Sequence, residues 1–325
     1  MSSAATFHKG IYKSEFVRRV ARWLDAIPHP PLALEIGPDH VAGARWGRTG
    51  GLDSYGFEHL PFGALIPSAV ETNIVNPDAL KSAVSSVLSR LHAKDETIAL
   101  ILPDPVIRVF VQHFDVFPRL KHEAEPMLRW KLKKSVPFEV DETLISYMRQ
   151  PAREAGVDVV TALARLRIVR EYEALLENAG LHPGVVLSSS LASIALVEEH
   201  RPTLLARISG PSLTAAIIRD RALCGYRCTE LPAQGADLTP QMLLEDLFPV
   251  AAYYQDTWHE SIQSVRLAGL GPRLPEFVRT LEEEFKCEVR SLLHTAVSDG
   301  RVPSDARPLA DRELEGLVGW MLHRG

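Results

Sequence analysis

Cysteine is scarce in this sequence, and long apolar runs are missing. Only Cys224, Cys228 and Cys287 occur among 325 residues, and an odd number without regular spacing does not build a disulfide framework. The first twenty residues lack the apolar core of a signal peptide. The longest run without Asp, Glu, Lys or Arg, residues 178–197, contains a proline, a glycine and three consecutive serines, which is unlike a membrane span. These absences predict a cytoplasmic protein.

Conventional catalytic motifs are absent as well. The sequence has no Gly-x-Ser-x-Gly elbow, no Walker loop and no His-Glu-x-x-His pair, so we predict no catalytic residue. Cys224 and Cys228 have no histidine or second cysteine pair nearby, which favours two ordinary thiols over a metal site. The net charge of −5 with 46% hydrophobic residues is typical of a globular protein and does not favour a nucleic-acid binder.

Two segments share one pattern. Residues 32–46 and 203–218 each contain a strand, an isoleucine, a turn with Gly-Pro and a second strand, which is typical of a β-hairpin. Strands and helices follow each hairpin, so the sequence predicts an internal duplication and a two-lobed α/β fold. A tight turn aims successive backbone N–H groups at one point, so phosphate would bind between the two turns.

The segment between the hairpins has a different pattern. A basic helix at 120–134 is ended by Val136-Pro137-Phe138 and is surrounded by three alternating strands, which predicts a small inserted subdomain. One continuous helix is predicted at 310–323. The predicted division is 1–31 as an N-terminal amphipathic helix and linker, 32–102 with 186–200 as the first half, 103–185 as the inserted subdomain, and 201–325 as the second half.

One block of the inserted segment carries a family resemblance. Leu128-Arg129-Trp130, followed by Val136-Pro137-Phe138-Glu139-Val140-Asp141-Glu142, resembles the "RWE…yIPFplDEv" signature of PilM-type pilus assembly proteins, which are actin-fold relatives of the division protein FtsA. Weaker similarities follow in the family's order over about residues 32–325, at 34–37, 63–77, 175–183, 252–255 and 267–269. The resemblance implies an actin-like (ribonuclease H-like) two-lobed α/β fold with a small inserted α+β subdomain. The second lobe is expected to be reduced, because residues 235–239 lead almost directly into the Tyr253-Tyr254 helix.

The resemblance also implies a nucleotide cleft, since ATP and Mg²⁺ bind in this family. Glu35 is the candidate for holding the metal, but Arg207 stands at the equivalent place in the second turn. This exchange repels Mg²⁺, although a guanidinium can contact phosphate directly. We therefore predict a degenerate ATP site and no bound cofactor. The residual cleft would be formed by Glu35, Gly37, Asp39, His40, Ser209, Gly210, Ser212, Gly269 and Gly271.

In function, the resemblance implies a scaffold on the cytoplasmic face of the inner membrane, in a type IV pilus or related type II secretion platform. Its partner would be the N-terminal cytoplasmic peptide of a PilN-like single-span membrane protein, with a pilus motor ATPase or platform protein as a further partner. Trp130, Pro137 and Phe138 are the candidate peptide-binding residues; the alternative is that they pack the subdomain core. An ATP-binding actin-like ATPase and an FtsA-like membrane tether of cell division remain alternatives.

Residues 14–27 are predicted to form an amphipathic helix. Large apolar residues occupy one arc of it and arginines lie on the other side, a pattern that suits an anionic membrane surface. The alternative is a helix packed on the protein's own body. The candidate membrane or partner residues are Phe16, Arg18, Arg19, Val20, Arg22, Trp23 and Leu24.

Overall fold

The structure, a computed structural model, describes residues 29–47, 51–94, 96–152, 155–197 and 200–322. The predicted helix at 14–27, with all seven of its candidate membrane or partner residues, lies outside these ranges and stays a prediction. Within them, no helix combines the length and the apolar character needed to cross a bilayer.

The first sheet begins with the predicted hairpin. Its chain order is β1 (Leu32–Ile36), β2 (His40–Trp46), β3 (Leu52–His59), helix α1 (Pro77–Arg90) and β4 (Thr97–Leu102). Helix α1 starts where Pro77 occupies the first turn and the Asn76 side chain accepts a hydrogen bond from the Ala79 amide. Strand β1 runs antiparallel to β2 and parallel to β4, so both of its faces are buried.

The inserted segment forms its own small sheet. It contains β5 (Arg108–Phe114), α2 (Lys121–Leu132), β6 (Thr143–Pro151) and β7 (Val157–Arg165), with strand order β5-β7-β6. Helix α2 packs on one face of this sheet through Ala124 and Leu128. The Gln150 side chain then joins the subdomain to the second half, because its amide donates to the Leu223 carbonyl at 2.5 Å and accepts from the Leu223 N–H at 3.1 Å.

The chain returns to the first half earlier than predicted. Helix α3 (Leu166–Glu177), strand β8 (His182–Ser188) and helix α4 (Ser189–Ser193) follow, and β8 adds to the first sheet in parallel with β4. The buried face of α3 belongs to the first core, and Tyr172 donates a hydrogen bond to the Asn73 side chain at 2.8 Å. Residues 166–185, predicted as part of the inserted subdomain, therefore pack with the first half.

The second half repeats the first. It contains β9 (Thr203–Ser209), β10 (Ser212–Arg219), β11 (Ala222–Glu230), α5 (Pro240–Trp258), β12 (Ser264–Ala268), α6 (Leu274–Phe285) and β13 (Glu288–Ser291). The strand orders are β3-β2-β1-β4-β8 in the first sheet and β11-β10-β9-β12-β13 in the second, which is one arrangement used twice. The duplication predicted from the two hairpins is therefore present in the topology.

The C-terminal helices cross back to the first half. These are α7 (Leu292–Ser298), α8 (Arg307–Ala310) and α9 (Glu315–Leu322), and their apolar side chains join the core built on β1 and β4. The predicted second half covers residues 201–325, but from Leu292 onwards the chain packs on the first half. The predicted single helix at 310–323 is also wrong, because the chain turns between α8 and α9, where Glu313 adopts a φ of +55°.

Candidate functional site

The two hairpin turns meet between the halves, as the duplicated pattern predicts. Pro38 of the first turn packs against Gly210 of the second, where a Cβ on Gly210 would lie 3.1 Å from the proline Cγ. The Gly37 N–H donates to the His40 carbonyl at 2.9 Å, so this amide is used within its own turn. The first turn is therefore closed by its own hydrogen bond and by contact with the second.

His40 covers the first turn. Its ring lies over Gly37, where a Cβ would come within 2.4 Å of it, and it stacks on Phe57 with 5.5 Å between ring centroids. Nδ1 of His40 lies 2.8 Å from an Asp39 carboxylate oxygen, and this hydrogen bond lowers the pKa of Asp39 despite partial burial. The polar side chains of this turn are thus engaged with one another.

Arg207 is the centre of the site. It extends from β9, is 5% exposed, and points towards three carboxylates that all belong to the first core. Its Nη2 lies 3.5 Å from Oε1 of Glu35 on β1, and its Nη1 lies 3.4 Å from Oδ2 of Asp104, just after β4. Its Nε lies 3.6 Å from Oε2 of Glu315, the first residue of α9. The second turn's arginine is therefore held by carboxylates of the first half.

Two of these carboxylates have further donors. Asp104 accepts from the Ser190 N–H at 2.8 Å, from the Ser190 hydroxyl at 2.5 Å and from the Thr214 hydroxyl at 2.9 Å. Glu35 accepts from the Ser189 hydroxyl and from the Leu317 N–H, the latter at 3.1 Å. Buried carboxylates need this many donors, because an unpaired charge away from water is costly.

The charges of the cluster shift its pKa values. Burial acts to lower the pKa of Arg207, but the charges of Asp104, Glu315 and Glu35 outweigh burial, so the pKa is raised and the guanidinium stays charged. Burial raises the pKa of Glu315 to about 7, against the lowering effect of Arg207. With this pKa, Glu315 is partly protonated near neutral pH.

Gly269 and Gly271, two glycines of the predicted nucleotide cleft, lie after strand β12. Gly269 follows β12 with a φ of +75°, and its backbone passes so close to β9 that a Cβ would lie 1.8 Å from the Ile208 carbonyl oxygen. Gly271 donates its N–H to the Glu313 carboxylate at 3.2 Å. A cavity of about 350 Å³ opens here, lined by Gly269, Gly271, His294, Asp311, Glu313 and Glu315 among others.

The chemistry of this cleft is acidic. Three carboxylates line the cavity, and one of them, Glu315, also contacts Arg207, whose guanidinium pairs with Glu35 and Asp104 as well. Such a lining repels a triphosphate, and the Gly37 and Gly271 amides already have protein acceptors. Ser209 and Ser212 lie opposite each other at the second turn. In the described part of the chain no group of three or more His, Cys, Asp or Glu is arranged to hold a metal ion.

Comparison with solved structures identifies the fold. One structure with this arrangement is the PilM-PilN type IV pilus biogenesis complex, with a TM-score of 0.68 and 19% sequence identity over 91% of this chain and 98% of that one. The predicted PilM-type, actin-like fold is confirmed. No family model matches the sequence, and no curated protein matches it either.

Two further structures show a weaker likeness to the chain. The cytoplasmic domain of EpsL, an inner membrane component of the type II secretion system of Vibrio cholerae, has a TM-score of 0.45 and 12% identity over 73% of this chain and 80% of that one. A Bacteroides thetaiotaomicron protein with an actin-like ATPase fold and unknown function has a TM-score of 0.47 and 9% identity over 88% of this chain and 97% of that one.

The PilM-like signature block lies at the surface of the inserted subdomain. Trp130 is 80% exposed on α2, opposite the buried face of the helix, so it does not pack the subdomain core. Pro137 is exposed and Phe138 is half-buried. The structure therefore leaves an aromatic side chain of the signature open to solvent.

Arg129 and Lys131 of the same block have structural contacts. Arg129 donates to the carbonyl of Val140 and to the carbonyl and hydroxyl of Thr143, which ties α2 to the segment containing Phe138. Lys131 donates to the His113 carbonyl at 3.1 Å and lies over the Phe114 ring at 3.8 Å. Lys131, which the sequence places in a basic cluster, is thus used within the fold.

Sequence reasoning missed two of the three carboxylates that contact Arg207, Asp104 and Glu315. It also missed the hydroxyl groups that donate to these carboxylates and to Glu35, those of Ser189, Ser190 and Thr214. Asp104 had a signal, since an acidic residue directly after a buried parallel strand lies where such sheets place ligands. Glu315 had none, because its helix reaches the cleft only through tertiary packing.

Proposed function

We propose that this chain is a cytoplasmic scaffold of a type IV pilus or type II secretion inner-membrane platform, which works by binding a short peptide of a single-span, PilN-like membrane protein. The fold supports the proposal, since it matches PilM over nearly the whole of both chains, and that PilM was solved in complex with PilN. A motor ATPase or platform protein is a further expected partner. The location follows from the same proposal, on the cytoplasmic side of the inner membrane.

One observation carries the scaffold function. Between the two hairpin turns, the protein's own Arg207 and its carboxylates occupy the cleft beside the acidic cavity, whereas Trp130 on the inserted subdomain is 80% exposed. This exposed aromatic side chain supports a partner site on the inserted subdomain. Extended peptides bind such surfaces through backbone hydrogen bonds and a few side-chain pockets, to which Trp130, Pro137 and Phe138 contribute.

The test is a binding titration with the full chain. A fluorescent peptide from the cytoplasmic N-terminus of the PilN-like protein is titrated, and polarisation gives the dissociation constant. Phe138→Asp is expected to abolish binding while circular dichroism stays unchanged, because it places a charge at a half-buried apolar position beside Pro137. Tyr253→Asp, at an exposed aromatic on α5, is the matched control and is expected to bind normally. Unchanged binding by Phe138→Asp would place the groove elsewhere.

A further inference from the structure

The cavity of about 350 Å³ next to the cleft has a size typical of small-molecule sites, which usually enclose about 300–1,000 Å³. It lies at the carboxyl ends of the parallel strands β12 and β13, where open α/β sheets bind their ligands. Part of its wall is apolar and is formed by Leu267, Leu270, Leu274, Leu293 and Val297. A ligand of this cavity therefore needs a hydrocarbon part that covers these side chains.

The polar side of the cavity is anionic. Asp311 and Glu313 are exposed there, whereas Glu315 is only 3% exposed. In the part of the chain that the structure describes, no lysine or arginine lines the cavity. The ligand is therefore expected to supply positive charge together with its hydrocarbon part.

Glu315 gives a second and independent reason to expect a ligand. Its carboxylate is buried and lines the cavity, yet it accepts no hydrogen bond from another described residue, since Nε of Arg207 lies 3.6 Å away. Glu35 and Asp104, by contrast, each accept from a hydroxyl group and from a backbone amide. Buried carboxylates are normally hydrogen-bonded, so Glu315 retains acceptor capacity for a donor inside the cavity.

The positions of the carboxylates favour an elongated cation over a single metal ion. Within the described residues, no three acidic or other metal-binding side chains converge to hold a metal ion. The cavity instead has one buried carboxylate, Glu315, and two exposed ones, Asp311 and Glu313. A chain with ammonium groups separated by methylene groups can meet these carboxylates one by one, while its methylene groups cover the leucines.

We infer that this cavity binds a linear aliphatic polyamine, with one ammonium group at Glu315 and another at Glu313 or Asp311. The ammonium groups donate hydrogen bonds to the carboxylates, and the methylene groups pack on the apolar wall. The acidic lining that repels a triphosphate thus selects a ligand of opposite charge. This inference does not depend on the pilus assignment.

The test is isothermal titration calorimetry of the full wild-type chain with spermidine at low salt. One spermidine is expected to bind per chain with a submillimolar dissociation constant, and added NaCl is expected to weaken the binding. 1,8-Octanediol has a neutral chain of similar length and is expected not to bind. Absence of saturable spermidine binding, or equal binding of the diol, would overturn the inference.

Proton release gives a second measurement on the same complex. Burial raises the pKa of Glu315 to about 7, with Glu35 and Glu313 also raising it and Arg207 lowering it. An ammonium group beside Glu315 lowers this pKa, so binding at pH 7 is expected to release part of a proton. Titrations in PIPES and in ACES, two buffers with different ionisation enthalpies, measure the release. Equal binding enthalpies in the two buffers would contradict an ammonium group at Glu315.

Two exposed carboxylates can be neutralised without disturbing the core. In Glu313→Gln the amide oxygen can still accept from the Gly271 N–H, so only the charge is lost, and spermidine binding is expected to weaken about threefold. Asp311→Asn is a second variant at an exposed position and is expected to weaken binding by a similar factor. Combining the two is expected to weaken binding about tenfold.

Glu283→Gln is the matched control. Glu283 is an exposed carboxylate on α6 that pairs with Arg279 at 2.9 Å and does not line the cavity. This variant is expected to bind spermidine like wild type, and thermal melts check that all variants are folded. Unchanged binding by the folded double variant, or an equal loss in Glu283→Gln, would show that spermidine does not bind in the cavity and would overturn the inference.

Discussion

Arg207 and Asp104 pair across the two halves, with Nη1 3.4 Å from Oδ2, and the same oxygen accepts a hydrogen bond from Thr214 at 2.9 Å. Asp104 is thus held twice by the second sheet, through β9 and through its neighbour β10. These contacts place the chain's own side chains between the two hairpin turns.

The wild-type chain is expected not to bind Mg-ATP. Its cleft offers three carboxylates to the triphosphate, its arginine is already paired, and the amides of Gly37 and Gly271 have protein acceptors. Isothermal titration calorimetry of the full chain with Mg-ATP checks this, with Mg-ADP in parallel. Micromolar binding would contradict the prediction and favour the alternative of an ATP-binding actin-like ATPase.

Stability is expected to depend on pH through Glu315. Its folded pKa of about 7 lies above the ordinary value of 4.5, so between these values the folded state holds a proton that the unfolded state has released. The free energy of unfolding therefore falls as pH rises from about 4.5 to 7 and stays lower above that. Glu315→Gln removes this contribution.

Urea unfolding of wild-type and Glu315→Gln protein at pH 5, 6, 7 and 8 measures the effect. The difference between the two free energies isolates Glu315 from the other titrating groups. Wild type is expected to lose stability relative to the variant as pH rises to about 7. Two parallel curves over this range would show that Glu315 does not titrate there.

Gly269→Ala is expected to destabilise the protein by about 3 kcal/mol or more, because a Cβ would lie 1.8 Å from the Ile208 carbonyl oxygen in addition to the strain of a positive φ. Gly300→Ala is the matched control. Gly300 has a φ of +72° but no atom within 4 Å of its added Cβ, so only the backbone strain of about 1 kcal/mol is expected. Urea denaturation gives both values, and equal losses would refute a close approach at Gly269.

Trp130→Ala is expected to weaken binding of the PilN-like peptide roughly tenfold, about 1.4 kcal/mol, while leaving the melting temperature unchanged, since the side chain is 80% exposed. Tyr253→Ala removes an aromatic side chain that is 67% exposed on α5 and is expected to change neither quantity. Fluorescence polarisation and thermal melts measure both. A fall in melting temperature for Trp130→Ala without loss of binding would make this tryptophan a packing residue.

Deletion of residues 1–28 tests the predicted N-terminal helix. If Phe16, Trp23 and the arginines around them contact anionic membrane, the full chain floats with anionic liposomes, flotation falls with salt, and the truncated chain does not float. Neutral liposomes are the control. Equal flotation of the two chains would remove the membrane contact, and a lower melting temperature on truncation would favour a helix packed on the body.

The sequence predicted the parts of the fold that local patterns determine. The two hairpins carry their turn residues and strand residues within about fifteen positions, so their existence and their equivalence were predictable. Trp130 was singled out because its block resembles the PilM-type signature, and its role in peptide binding stays a prediction. The break between α8 and α9 was not predictable, because no glycine or proline lies between Asp311 and Leu314 to indicate it.

The partners of Arg207 were beyond sequence patterns for a different reason. Asp104 lies 103 positions away and Glu35 lies 172 away, so only the closure of the two halves brings them to one point. Sequence comparison of the two turns showed that the carboxylate was exchanged for arginine. It did not show that three carboxylates packed with the first half would contact this arginine.

The Gln150 amide, which forms two hydrogen bonds with the Leu223 backbone, has a mechanical consequence. A force applied at the surface around Trp130 reaches the first half through the covalent links of the inserted subdomain to β4 and α3. It also reaches the second half, through the side chain of Gln150. The load is shared between the halves instead of peeling the subdomain away from one of them.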